Sequence, residues 1–293
     1  MSEAASNLPT ATPVSGTRRA VRRLLREPLG VFGLSLVVLV IFGAVFADLL
    51  TSYDPTRINP RDRFQGPSGT HLLGTDQLGR DLFSRVLYGG RIALFVALVS
   101  TAVSLVIGVA LGLIAGYGPR WLDNLMILLF DAMKSFPTVM LALALVTIMG
   151  PSLTAVMVVV ILVTVPGYAR IIRTQTIAIK SSEFVTAAQS MGASSGRILF
   201  NHILPNVIGP LVILASMDIP VVIAIEAGMS FLGLGVRPPT PSWGSILNDG
   251  FTGIRDTAWI AIAGGLPIII TTLGFTFLGE TLRDIFDPRL KGR

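Results

Sequence analysis

Cysteine is absent from this 293-residue chain, and charged residues make up only 14% of it. Without cysteine the chain cannot form a disulfide framework or a thiolate metal site. A soluble domain carries roughly 25% charged residues, so a chain this poor in charge cannot cover its surface with polar groups. Because 52% of the residues are hydrophobic and the mean hydropathy is +0.72, the composition predicts an integral membrane protein.

The sequence also lacks the motifs of catalysis and of nucleotide binding. Its three lysines follow Met133, Ile179 and Leu290, so the glycine–lysine pair of a phosphate-binding loop does not occur. His71 and His202 lie far apart, without the spacing of metal ligands. We therefore predict a non-catalytic chain that holds no metal and no cofactor of its own.

The net charge is +6 and the sequence pI is about 10.3, which in a soluble protein would suggest nucleic-acid binding. Here the arginines lie at the ends of apolar segments, and no basic stripe with interleaved aromatic residues is present. We expect a lipid bilayer around the chain and no nucleic acid among its partners.

Six apolar segments have about the 20 residues that a helix needs to cross the hydrocarbon core. The third is interrupted by Phe136-Pro137. The first is longer than the roughly 7–15 apolar residues of a signal peptide, so we predict that it is retained. The sequence thus predicts an all-α integral membrane protein with six transmembrane helices. The segments are 29–50, 92–117, 122–149, 153–172, 207–232 and 258–282.

The placement of lysine and arginine predicts the orientation. With the N-terminus in the cytoplasm, fourteen of these residues fall on the inner side and eight on the outer side, as the positive-inside rule favours. We therefore expect both termini in the cytoplasm. The predicted parts are a cytoplasmic tail (1–28), a first span (29–50), an outer loop (51–91) and a transmembrane domain (92–293) with a cytoplasmic loop (173–205).

This cytoplasmic loop carries a pattern of small and apolar residues. Its spacing predicts two short amphipathic helices that are separated at Gly192, which can adopt a left-handed conformation. Ala187 and Ala188 would let a neighbouring protein approach closely, and Pro205 is suited to the first turn of the fifth span. Two interpretations fit equally well, a segment that binds a partner protein and a helix pair that lies on the bilayer surface.

The order of residues in the loop resembles a known motif. The pattern Thr186-Ala187-Ala188-x3-Gly192-x9-His202-Ile203-Leu204-Pro205 is similar to the "EAA" loop of permease subunits of ATP-binding-cassette (ABC) importers. Thr186 stands where glutamate is usual, Glu183 is one turn earlier, and His202 stands where an aliphatic residue is usual. The resemblance implies that the loop binds an ATPase subunit. The implied coupling residues are Glu183, Thr186, Ala187, Ala188, Gly192, Ile203, Leu204 and Pro205.

Three further stretches resemble the dipeptide/oligopeptide/nickel branch of these importers, in particular its "C"-type permease. They are His71-Leu72-Leu73-Gly74-Thr75-Asp76-x-x-Gly79-Arg80-Asp81, the stretch from Phe231 to Trp243-Gly244, and Asp287-Pro288-Arg289-Leu290. The resemblance implies a type I ABC importer permease fold and a place in the bacterial inner membrane.

The resemblance also implies a function and its partners. We expect a permease subunit of an ATP-driven importer of dipeptides or short oligopeptides, with nickel or another small solute as the alternative cargo. A homologous second permease would complete the path, and an extracytoplasmic substrate-binding protein would deliver the ligand. Two ABC ATPase subunits would bind ATP and Mg²⁺, so that hydrolysis takes place on those chains.

The outer segments hold candidate docking or gating residues. Residues 81–88 are predicted to form a short amphipathic helix before the second span. Asp76, Arg80 and Asp81 either satisfy one another in a plain connector or help to bind the substrate-binding protein. Trp243, in the second outer segment, is expected to anchor a gate or docking element at the membrane interface.

Ionisable residues inside the predicted spans are candidates for the path. Asp131 and Lys134 are three residues apart, so they either pair and brace the break at Phe136-Pro137 or serve transport. Asp218 and Glu226 lie on the fifth span and either face the path or brace neighbouring helices. A different class of protein, a carrier driven by an ion gradient, would use Asp131, Asp218 or Glu226 as proton or cation sites.

Overall fold

The computed structural model describes residues 23–286. The predicted tail up to residue 22 and the motif Asp287–Leu290 lie outside the described residues. The described part is helical, and its one β-bridge joins Thr75 and Asp81. The helices are α1 (Pro28–Val45), α2 (Ala47–Leu50), α3 (Leu82–Tyr117), α4 (Arg120–Ser135), α5 (Thr138–Met149), α6 (Leu153–Lys180), α7 (Glu183–Ser190), α8 (Ser195–Ile198), α9 (Leu204–Phe231), α10 (Trp243–Thr252) and α11 (Trp259–Phe286), with a 3₁₀ turn at Pro60–Asp62 and a π turn at Leu199–Ile203.

Within residues 23–286, five helices are long and apolar enough to cross a membrane, namely α1, α3, α6, α9 and α11. A sixth crossing exists if the bent pair α4 and α5 counts as one span. Each predicted apolar segment therefore corresponds to one of these elements. We call the end of the bundle where α1 begins the inner end, and the opposite end, which holds residues 51–81, the outer end.

The third span differs from the prediction. Its two halves, α4 and α5, meet at 90°, so α4 does not continue along the axis of α5. The bend lies at Phe136 and Pro137, whose backbones are extended. Proline cannot donate an intrahelical hydrogen bond, and it disfavours helical geometry at the residue before it, which accounts for the break.

Two long helices, α3 and α6, extend beyond the predicted spans. At 1.5 Å per residue α3 is about 54 Å long and α6 about 42 Å, against a hydrocarbon core of about 30 Å. The Asp81 side chain begins α3 as its N-cap by accepting a hydrogen bond from the Ser84 amide at 2.7 Å. The predicted short helix at residues 81–88 is thus the first part of α3.

Helices α3 and α6 pack at close range through Gly108, Gly112 and Gly116. A Cβ atom on Gly112 would lie 2.5 Å from the Ile172 Cβ and 2.6 Å from the Ala169 carbonyl oxygen. The same stripe brings Gly116 against Thr176. Glycines four residues apart lie on one helix face, and in membranes such small residues let two helix backbones approach closely. The pair forms the centre of the bundle.

Helix α9 lies against this pair and also contacts α10 and α11. Seven of its buried residues recur at intervals of three or four and form one face toward the bundle. They are Val207, Leu211, Ala215, Ile219, Val222, Glu226 and Ser230. Because α9 runs from the inner end of the bundle to the outer end, its packing fixes the two ends relative to each other.

Candidate functional site

We call residues 183–203 the coupling segment. It consists of α7, the turn at Gly192, α8 and the π turn that leads into α9. Gly192 has φ +81°, its amide donates to the Gln189 carbonyl at 2.9 Å, and the Ala193 amide donates to the Ala188 carbonyl at 3.0 Å. This pair of bonds is the Schellman motif, in which a left-handed glycine ends a helix. The predicted pair of short helices separated at Gly192 is therefore present.

One side of the coupling segment is buried. Val185, Ala188, Ile198 and Ile203 have relative exposures between 0% and 5%. Val185, Ile198 and Ile203 pack in an apolar cluster with side chains at the inner ends of α3, α6 and α9, namely Leu113, Ile172, Val207 and Leu211. Burial of four apolar side chains fixes the segment to the membrane bundle.

The opposite side of the coupling segment is exposed. Glu183, Thr186 and Ala187 are exposed, as are large apolar side chains that would be costly to leave in water. These are Phe184 (49%), Met191 (81%) and Phe200 (67%). The structure thus separates the two alanines, because Ala188 faces the bundle and Ala187 faces outward. Sequence reasoning had assigned both alanines to one partner-facing side.

The two ends of the coupling segment are continuous with long helices. At its start, the Lys180 Nζ at the end of α6 donates to the Tyr117 carbonyl of α3 at 2.8 Å and lies 4.8 Å from the Tyr117 ring centre. At its end, the backbone stays helical through the π turn into Leu204 and Pro205 of α9. Displacement of the segment would therefore move α6 and α9 directly.

At the outer end, Asp76 and Arg80 belong to a buried ionic cluster. Asp76 Oδ2 accepts from Arg80 Nε at 2.6 Å and lies 3.0 Å from Arg85 Nη1. Asp249 Oδ2, on α10, accepts from both guanidinium groups at 3.1 Å. Asp76 has 0% exposure, and both arginines are buried. The cluster joins the outer loop and the start of α3 to α10.

Asp81 belongs to a second buried pair in the same loop. Its Oδ1 lies 2.9 Å from His71 Nδ1, while its Oδ2 caps α3. In this conformation Asp76, Arg80 and Asp81 hold the loop in shape and offer almost no surface to another protein. Their predicted docking role stays a prediction.

Trp243 was expected to anchor its segment at a membrane interface, but its side chain is buried inside the protein. It is 2% exposed, and its Nε1 donates to the Val86 carbonyl at 2.8 Å. Its ring lies on Gly89 and Gly90 of α3. The two glycines leave room for the indole, so that the start of α10 is fixed against α3.

A surface ion pair marks where α1 ends at the outer side. Arg91 donates to the carbonyls of Ala44 and Val45, which end α1, and to Asp48 Oδ2 at 2.9 Å. The hydrogen bond from Arg91 lowers the pKa of the Asp48 carboxyl, so this carboxylate stays ionised into acidic conditions. Two exposed charges at this level indicate the outer boundary of the hydrocarbon region.

The three candidate path carboxylates have different surroundings. Asp131 is exposed on α4 and pairs with Arg170 of α6 at 2.5 Å. The pair with Lys134, one of the two alternatives that the sequence offered, is therefore not the one that the structure shows. The neighbouring helix provides the cation because α6 runs beside α4. Glu226 has 0% exposure, and its Oε1 accepts from Ser230 at 2.8 Å. Asp218 is part-exposed near the middle of α9.

Sequence reasoning missed several residues of these sites. Asp249 lies more than 160 residues from its arginine partners, although an outer loop richer in arginine than expected could have signalled a carboxylate in the other outer segment. The spacing Gly108-x3-Gly112-x3-Gly116 was a readable signal for close helix packing. Among the described residues, no three His, Asp or Glu side chains converge on a position that could hold a metal ion.

Two family models match the chain. The model described as "Binding-protein-dependent transport system inner membrane component" matches residues 108–292. The model described as "N-terminal TM domain of oligopeptide transport permease C" matches residues 15–67. The first covers α4 to α11 and only the last part of α3, from Gly108 to Tyr117, and it includes the coupling segment.

Several named relatives match over nearly the whole length of the chain. The chain is 41% identical to a dipeptide transport system permease protein DppC of Alkalihalophilus pseudofirmus, over 96% of this chain and 92% of the relative. It is 41% identical to a glutathione transport system permease protein GsiD of Pectobacterium atrosepticum, over 92% and 90%. It is 37% identical to a di/tripeptide transport system permease protein DppC of Pseudomonas aeruginosa, over 88% of each.

A solved structure shares the fold. The MetNI methionine ABC transporter in inward-facing conformations superposes with a TM-score of 0.55 at 18% identity, over 69% of this chain and 97% of that chain. The predicted type I importer permease fold is thereby confirmed. The chain belongs to the family of inner-membrane components of binding-protein-dependent transport systems, and it is a multi-pass membrane permease of the ABC importer class.

Proposed function

We propose that this chain is the permease subunit of an ATP-driven importer of dipeptides or short oligopeptides. The relatives named for dipeptide, di/tripeptide and glutathione transport support peptides over nickel as the cargo. Family membership favours an ATP-driven importer over a carrier driven by an ion gradient. The proposed orientation has both termini in the cytoplasm, which puts the coupling segment on the cytoplasmic side.

The division of the coupling segment into a buried and an exposed side is the observation that carries the proposal. The buried side, which includes Val185 and Ile203, attaches the segment to the bundle. The exposed side presents Phe184, Met191 and Phe200 around the small Ala187. Exposed apolar groups on a segment this firmly attached are typical of a protein interface. We assign this side to an ABC ATPase subunit.

The remaining partners follow from the same proposal. A homologous second permease forms the translocation path with this chain, and an extracytoplasmic substrate-binding protein delivers the peptide. ATP and Mg²⁺ bind to the two ATPase subunits, and this chain itself performs no catalysis. Closure of the ATPases would displace the coupling segment and tilt α6 and α9, because α6 ends two residues before the segment and α9 continues from its π turn.

The natural absence of cysteine allows a direct test by cross-linking. In the intact complex, purified with cysteine-free ATPase subunits that carry one cysteine each near their membrane-facing surface, Met191→Cys should cross-link to an ATPase with a short bismaleimide. Met191 is 81% exposed and lies at the end of α7. Addition of ATP should change the yield if the segment moves during the cycle.

Ile203→Cys is the matched control, because this side chain has 0% exposure on the opposite side of the segment. It should give no cross-link. Equal labelling of the two positions, or failure of Met191→Cys to reach any ATPase in a complex that still transports, would contradict the assignment of the exposed side.

A further inference from the structure

Helix α9 carries a carboxylate near its midpoint, deep within the proposed membrane-spanning bundle. Asp218 lies about 21 Å from the start of α9 and about 20 Å from its end, at 1.5 Å per residue. Among residues 23–286, no lysine, arginine or histidine forms a salt bridge with it. A charge at this depth is costly in hydrocarbon and almost always faces a bundle interior or a water-filled cavity.

The surroundings of Asp218 on α9 indicate where it faces. Ala215 and Ile219 are buried against the bundle, whereas Val221 is 52% exposed and lies three residues after Asp218 on the same helix face. On the adjacent side, Met217 packs on Gly279 of α11. Asp218 therefore lies at the border between the packed and the open face of α9 and is part-exposed.

A buried tyrosine on α6, Tyr168, lies beside this carboxylate. The Tyr168 hydroxyl is buried next to Asp218, and it makes no hydrogen bond of normal geometry in this conformation. The residue cannot move away easily, because its Cβ lies against Gly108 of α3, where an added Cβ would be at 2.5 Å. Buried hydroxyls nearly always find a partner, and Asp218 is the acceptor within reach.

We propose that Asp218, positioned by Tyr168, is the element of the path that favours ligands with a cationic group, such as the ammonium group of a peptide or of a lysine side chain. The inference rests on the proposed importer function. The open face of α9 then lines the path, and the passing ligand temporarily provides the missing counter-charge. The interaction is single and part-hydrated, so it biases passage without trapping the ligand.

Uptake of two peptides by the reconstituted complex tests this inference. The intact complex is reconstituted in proteoliposomes, and the substrate-binding protein is loaded with either Ala-Lys or Ala-Glu before it is added. The two uptake rates give a ratio of Ala-Lys to Ala-Glu. Because the binding protein is the same in every preparation, a change in this ratio reports the path. Asp218→Asn should lower the Ala-Lys to Ala-Glu ratio about fivefold, equivalent to about 1 kcal/mol, and Asp218→Glu should retain the preference.

Tyr168→Phe removes only the hydroxyl and should reduce the ratio in the same direction by a smaller factor, with normal assembly of the complex. Ser216→Ala is the matched control on the same helix, since the Ser216 hydroxyl only donates to the Ile213 carbonyl; its ratio should equal that of the unmodified complex.

An unchanged ratio in both Asp218→Asn and Tyr168→Phe overturns the inference. So does a loss of assembly in Asp218→Asn with an unchanged ratio in Tyr168→Phe, which would indicate an ion pair with the second permease. Absence of any ATP-dependent uptake by the unmodified complex would instead contradict the proposed function.

Discussion

At the scale of single residues, Gly192 is held in a conformation that other residues avoid. Its φ of +81° lies in the left-handed region, which costs other residues roughly 1–2 kcal/mol, although an added Cβ would touch nothing. We expect Gly192→Val to change the angle between α7 and α8, so that ATP hydrolysis continues while peptide uptake falls by at least about tenfold, the factor that corresponds to 1.4 kcal/mol. Uptake and ATPase rates of proteoliposomes measure both quantities.

Gly196→Ala in α8 provides the control for this prediction. Gly196 has no positive φ, and its Cβ position is also open. This variant should behave like the unmodified protein. Normal coupling in Gly192→Val would show that the turn geometry has no part in transmission.

The exposed and buried sides of the coupling segment show what sequence could predict at this scale. The position of Gly192 followed from its residue type alone, since few other residues adopt left-handed geometry. The opposite directions of Ala187 and Ala188 did not, because they depend on how α7 rotates when Val185 enters the apolar cluster. Similarly, nothing local indicated that Asp131 would pair with Arg170 instead of Lys134.

At the scale of helices, α3 and α6 pack at close range, and the three glycines of α3 allow it. We expect Gly112→Ala to destabilise the complex by roughly 1–3 kcal/mol, because the new methyl group would overlap Ile172 and the Ala169 carbonyl. The midpoint of thermal unfolding, measured on the purified complex, should fall. Gly167→Ala in α6, where an added Cβ meets nothing, should leave the midpoint within error; an equal fall in both variants would contradict the argument.

Element boundaries were predicted least well where tertiary contacts decide them. Residues 81–88 were predicted to form a short helix separate from the second span at 92–117, yet α3 runs without a break through Gly89 and Gly90. The indole of Trp243 lies on these glycines, so packing from α10 compensates for their poor helix propensity. At Phe136-Pro137 the residue type was enough to predict an interruption of the helix, because of the proline. The angle between α4 and α5 could not be predicted from it.

At the scale of the whole molecule, the buried ionic cluster joins segments that are far apart in sequence. Removal of the Asp249 charge should leave Asp76 as the one carboxylate that Arg80 and Arg85 share. We expect Asp249→Asn to loosen the outer loop at a cost of about 2 kcal/mol. Limited proteolysis from the outer side should then cut within residues 51–81 faster than in the unmodified complex.

Asp256→Asn serves as the control, because Asp256 is exposed and forms no salt bridge within the described part of the chain. Its cleavage rate should stay unchanged. If Asp249→Asn is cleaved no faster than this control, the cluster does not hold the outer loop in place.

The perpendicular arrangement of α4 and α5 has a consequence for the surrounding lipid. Helix α5 has twelve residues and is about 18 Å long. The hydrocarbon core of a bilayer is much thicker, at about 30 Å. Lipids beside α5 would have to compress or admit water, which membranes resist. An isolated copy of this chain should therefore render vesicles leaky to small ions, and the leak should cease once a second protein covers that flank.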